Sequence, residues 1–173
     1  MMNEVFSPAN VPPFYQTYVA HSKNYQIDEA LRIADERRAS LVASIPEALG
    51  TYAYADGKWT IKEVLTHMMD AERVFCYRAL CFSRLDATPL PGFDENHYVP
   101  HSNAHARTIK EIADAMARLR ATTRDLFQAF TEEMLDREGE ANKSRLTVRA
   151  IGYIIPGHEL HHLSVLTERY LKQ

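Results

Sequence analysis

Four stretches of this chain repeat apolar residues every three to four positions, and no stretch alternates apolar with polar. That period gathers each apolar set onto one side of a helix and leaves no face for a half-buried strand. The first stretch runs from about Asp28 to Leu49-Gly50, with Ala30, Leu31, Ala34, Leu41, Val42 and Ile45 inward and Gly50 as its C-terminal stop. The second has the clearest start in the chain. Thr60-Ile61-Lys62-Glu63 is a capping box, Trp59 precedes it for a staple contact, and the helix should reach about Arg84. The third spans about Thr108 to Phe130. The fourth is capped by Thr147, reaches about Leu171 and should bend at Pro156-Gly157. Four such helices pack as an all-α four-helix bundle. At 173 residues and 46% hydrophobic, the chain suffices for one domain, residues 1–173, with its own core.

The connections carry their own signals. In residues 1–25, Pro8, Pro12 and Pro13 argue against an early helix, while Phe14, Tyr15 and Tyr18 are available to pack across the bundle as an extension. Residues 86–107 read as a loop, longer than usual connections and therefore expected near a site. Residues 131–146 are polar, with Gly139 and Asn142 as breakers.

Lys and Arg number 20 against 23 Asp and Glu, for a net charge of −3 without a basic block, so nucleic acid is not an expected partner. No apolar run approaches the ~18 residues of a membrane span, and Met1–Tyr15 lacks the pattern of a secretory signal. Cys76 and Cys81 lie five apart on one helix and point apart, so free thiols in a reducing cytoplasm are expected.

Near the C-terminus, Pro156-Gly157-His158-Glu159-Leu160-His161-His162 sets His158 and His162 four apart, on one helix face with Ile151 and Ile155. His67 lies on the second helix among Val64, Ala71 and Val74, and it too faces inward. Three inward histidines from two helices make a metal site with open positions, the arrangement of a catalytic rather than a structural ion; the alternative is three packed histidines. Asp70 and Glu63, one turn either side of His67, are candidates to orient it. His-Glu-Leu-His-His also matches the zincin pattern, with Glu159 as general base. However, Val165 stands where one class needs a turn-forming glycine, and too little chain follows for the other, so a peptidase is not expected. Glu159 otherwise reads as a solvated or helix-contact residue. His161 lies at the bundle edge, and Arg78, three turns beyond His67, faces an anionic substrate or a helix carboxylate. Glu159, His161 and Arg78 are the catalytic candidates. His97, His101 and His105 either cover the site or are solvated, and Phe93 and Tyr98 either wall a pocket or pin the loop.

The segment Gly57-Lys58-Trp59-Thr60-Ile61-Lys62-Glu63-Val64-Leu65-Thr66-His67, taken with Gly157-His158-Glu159-Leu160-His161-His162, resembles the DinB-like superfamily, including its YfiT-type metal-dependent hydrolases. The resemblance implies an up-down-down-up bundle, often a homodimer, holding nickel or zinc through His67, His158 and His162. It implies hydrolysis or transfer to a low-molecular-weight thiol, acting on a small-molecule substrate. A non-enzymatic, stress-related interaction protein, whose metal or histidines only stabilise the bundle, is the other expectation.

Overall fold

The computed structural model describes residues 6–172; Met1 to Val5 and Gln173, including the first part of the N-terminal extension, lie outside the described residues. Seven α-helices and one β-hairpin make up the fold: α1 (Pro13–Ser22), α2 (Ile27–Ala43), α3 (Ile61–Ser83), α4 (Glu95–His101), α5 (Ile109–Gln128), α6 (Glu132–Asp136), β1 (Glu138–Ala141), β2 (Ser144–Thr147) and α7 (Val148–Val165). A single π-helical turn, Leu166–Leu171, continues α7, and its end is tied down by the Tyr170 hydroxyl donating to the Trp59 carbonyl at 2.6 Å.

The bundle comprises α2, α3, α5 and α7, with α2 and α3 each packed against both α5 and α7. Side-chain pairs give the directions. Arg124 meets Asp28 while Arg38 meets the Ala113 carbonyl, so α2 and α5 are antiparallel. His67 meets His158 near the start of α3 while Gly139, just ahead of α7, meets Phe82 near its end, so α3 and α7 are antiparallel. Gly152 lies against Ile27 and Glu159 against Arg38, which makes α2 and α7 parallel. The topology is up-down-down-up, and the parallel α3 and α5 oblige residues 84–108 to travel back along the bundle.

Local sequence explains the helix limits. Thr60 and Thr108 both form complete capping boxes, with Glu63 and Glu111 bonding back to the cap. α3 ends with Leu85 at φ 60°, where Asp86 N–H donates to the Cys81 carbonyl and Leu85 N–H to that of Phe82, a Schellman closure with leucine in the glycine position. α2 stops at Ala43, earlier than expected. Pro46 forces an extended cap, a 3₁₀ turn (Glu47–Leu49) follows, and Gly50 has an ordinary φ of −57° rather than a left-handed one.

Two further expectations are corrected. The early prolines do not prevent a helix: Pro13 occupies the first position of α1, where a missing N–H costs nothing. Residues 138–147 form a hairpin whose turn residues, Asn142 and Lys143, have φ 51° and 59°. Leu90 pairs with Ala141 of this hairpin through its N–H and carbonyl, which anchors the 86–107 segment.

α1 crosses α7 closely. A Cβ at Gly157 would lie 2.0 Å from the Tyr18 carbonyl oxygen, and the Ser22 hydroxyl donates to the Tyr153 carbonyl at 2.7 Å. α7 runs through Pro156 without interruption.

One charged residue from each bundle helix is buried at the centre: Arg38 (α2), Glu72 (α3), Arg120 (α5) and Glu159 (α7). Arg120 grips Glu72 through Nε and Nη2 at 2.9 Å each, reaches Glu159 at 2.5 Å and donates to the Leu31 carbonyl. Arg38 Nε lies 3.0 Å from Glu159 Oε1, close enough for charge pairing but not aligned as a hydrogen bond. Burial alone would lower the proton affinity of Arg120, but Glu159 and Glu72 outweigh it and raise it. Replacing Arg120 with Met should strand the Glu72 carboxylate, leave Glu159 to Arg38 alone, and cost about 3–5 kcal/mol. Urea unfolding measures this; a loss below about 1 kcal/mol would show that the network carries little of the fold.

Candidate metal centre

His67 comes from the second turn of α3, and His158 and His162 from successive turns of α7, antiparallel to it. The Nε2 atoms of His67 and His158 are 3.1 Å apart, as are those of His162 and His158, and one ring nitrogen from each of the three lies within 4.8 Å of the others. This is the only such group of ligand-type side chains among the described residues. The spacing suits an ion: with metal–nitrogen bonds of about 2.0–2.1 Å in a tetrahedral shell, ligand nitrogens stand little more than 3 Å apart. The donor set therefore fits a divalent cation that accepts imidazole.

Neighbouring aromatic rings pack against two of the three imidazoles. Trp59 lies 4.8 Å from His67, centroid to centroid, and the Tyr18 ring meets His158 edge-on at 5.2 Å. Burial keeps all three neutral. It lowers the proton affinity of His67, lowers that of His158 much further with help from His162 and His67, and brings His162 to about 3. Neutral imidazole is the form that binds metal.

The other candidates separate clearly. Arg78 is buried and lines a cavity of about 100 Å³ together with His67 and His158, walled by Tyr15, Phe75 and Phe93. Glu159 is committed to Arg120 and Arg38 in the bundle centre. His161 is half-buried beneath α1, 5.4 Å from the Tyr18 ring, and burial lowers its proton affinity. Glu63 bonds to Thr60 in the capping box and lies 3.4 Å from His105, while Asp70 pairs with Arg73. The loop histidines stay outside the triad. His97 and His101 lie against each other with tilted rings, 4.7 Å between centroids, on the exposed face of α4, and the cavity instead takes Phe93 and Glu95 from this segment. Cys76 and Cys81 are free; Cys76 lies 3.3 Å from the Thr123 hydroxyl, and burial pushes its thiol up to about 11.

Tyr18, Trp59 and Glu95 border the triad or its cavity. The sequence marks Trp59 by its place just before the capping box of the helix that bears His67 and Tyr18 as free to pack across the bundle, but neither as a neighbour of the triad, and Glu95 carries no signal.

The depressed histidines make stability depend on pH. Below about 6.5 the unfolded chain takes up protons that the native site refuses, so native stability falls as pH drops from 6.5 toward the folded value of about 3 for His162. For His162 this costs metal-free protein up to about 1.4 kcal/mol per pH unit across that window, and the lowered His67 and His158 act in the same direction. His162→Gln should make the dependence shallower. Chemical denaturation at a series of pH values measures it; an unchanged slope would contradict the neutral assignment.

The sequence profile of the DinB superfamily matches residues 30–166, well over half the chain, and the chain belongs to that superfamily. No curated protein matches it. Among solved structures, YfiT from Bacillus subtilis, described as a probable metal-dependent hydrolase with an unusual four-helix bundle topology, superposes with a TM-score of 0.70 at 19% identity, over 83% of this chain and 85% of that one. The mycothiol-dependent maleylpyruvate isomerase superposes with a TM-score of 0.64 at 12% identity, over 80% of this chain, which spans only 60% of the isomerase. At these identities the likenesses are of fold. Among the described residues, no helix is long and apolar enough to cross a membrane.

Proposed function

We propose that this member of the DinB superfamily is a divalent-metal enzyme acting on small electrophilic molecules, with His67, His158 and His162 as the metal ligands. The observation that carries the reading is the convergence of three neutral imidazole nitrogens at a cavity rather than in sealed core. Three protein ligands leave room at the ion for a reactant. Bound there, the ion supplies Lewis acidity and lowers the proton affinity of a water or thiol beside it. The chain's own residues present the ligands neutral, hold the His67 ring against Trp59, and give the cavity an aromatic wall in Tyr15 and Phe75.

Hydrolysis and transfer to a low-molecular-weight thiol both suit such a site, and the likeness in fold to YfiT and to a mycothiol-dependent isomerase supports both. A second, more open cavity of about 240 Å³ reaches the triad at His162, between Trp59 and Tyr170. Two approaches to one site favour transfer between two reactants. Nickel or zinc is the ion that the family implies, and both accept imidazole; a homodimer in the cytoplasm completes the reading. The competing view is an interaction protein in which the metal only braces the bundle.

Elemental analysis of tag-free protein should find about one divalent ion per chain, lost in His67→Ala and in His158→Ala. Metal-loaded protein should then turn over an electrophile with water or an added thiol, and the variants should not. Metal retained in both variants, or none bound after reconstitution, overturns the site. Metal whose removal lowers only the melting temperature, with every thiol and electrophile unreacted, favours the interaction protein.

A further inference from the structure

Arg38, Arg120 and Arg78 are all almost wholly buried, at 2%, 2% and 3% exposure. The first two are neutralised by buried carboxylates. Arg78 is different. Among the described residues no carboxylate lies within 4.0 Å of it, its one hydrogen bond runs from Nη2 to the Pro91 carbonyl at 3.1 Å, and its guanidinium lies 5.5 Å from the centre of the Phe75 ring. A guanidinium cannot shed its charge, so an interior position without a counter-ion is costly. None of its nitrogens is sealed in protein without a partner, so the donors not used on Pro91 open onto the cavity shared with His67 and His158.

We infer that Arg78 anchors the carboxylate of a small, flat, apolar monoanionic substrate in this cavity. The inference rests on the reading of the triad as a small-molecule site and supplies its substrate class. The planar fork of Arg78 matches a carboxylate in two parallel hydrogen bonds, while Tyr15, Phe75 and Phe93 give the cavity an aromatic wall that suits an apolar, flat body. Anchored there, the body extends toward His67 and His158, which sets the reactive end beside the triad. Glu95, the first residue of α4, lines the same cavity and is half-exposed. Its negative charge acts against a second anionic group and against a phosphate dianion, so a single carboxylate is preferred.

The test titrates metal-free wild-type protein with benzoate, benzamide and phenyl phosphate, following binding by calorimetry and the Arg78 Nε–H signal by NMR. Benzoate should bind at least roughly tenfold more tightly than either comparator and shift the Arg78 signal. Arg78→Met should erase the preference for benzoate over benzamide, and Arg78→Lys should keep part of it. Equal binding of benzoate and benzamide, tighter binding of phenyl phosphate, or benzoate binding that leaves the Arg78 signal unmoved overturns the proposal. The last two criteria and the comparison of ligands need no variant, so they stand even where Arg78→Met fails to fold. Metal content of wild type and Arg78→Met is read in parallel. Metal binding with no benzoate preference sinks the anchor alone, whereas loss of metal from wild type sinks the centre and leaves the carboxylate measurement to stand or fall separately.

Discussion

Two guanidinium groups and two carboxylates at the centre of the bundle hold the rest of the structure in register. Each comes from a different helix, and together their formal charges cancel. On α3, α5 and α7 the charged member falls between two apolar sets: Met69 and Phe75 flank Glu72, Met116 and Phe127 flank Arg120, and Ile155 and Leu160 flank Glu159. The network thus occupies the seam between two hydrophobic clusters. Apolar contacts tolerate a slide of one helix along another, but ion pairs with oriented donors do not, because a shift of one turn would leave every member unpaired in a medium of low dielectric. Glu159 follows His158 in sequence, so fixing Glu159 against Arg120 also fixes the height at which His158 meets His67.

The same arrangement explains why the site needs no strain to form. Two of the histidines are one turn apart on one helix, and the third faces them from an antiparallel neighbour. Once the helices are locked, the three nitrogens converge, and the apolar surroundings hold them neutral. α1 adds the outer wall. It approaches so closely that position 157 has no room for a side chain, which brings Tyr18 onto both His158 and His161.

Those elements differ in how far the sequence betrays them. The triad was legible because a spacing of four residues brings two side chains together on one face of a helix, and because His67 sits in an apolar register. The bundle itself was legible from its periodicity. The ion network was not: nothing in the sequence sets Arg38, Glu72 and Arg120 apart from the other charged positions on their helices, and only the assembled bundle reveals that they face one another. The hairpin escaped because Glu138, Gly139 and Glu140 have no preference for strand; it forms because Gly139 lets the Phe82 ring approach and Leu90 adds backbone bonds. α1 escaped because Pro12-Pro13 signals a break and a helix start equally well.

The parallel course of α3 and α5 has a consequence for how such a protein diversifies. A bundle of alternating directions closes each turn with a few residues, but here the chain must cover the length of a helix before α5 begins. That return segment is compulsory, yet it contributes little to the two apolar clusters, and it roofs the cavity with Phe93 and Glu95. The positions of the three histidines are thereby set by the helices, and the outline of the cavity by a strap held to the hairpin at Leu90. The strap can change in sequence, and the shape of the cavity with it, while the histidines and the charges beneath them stay as they are.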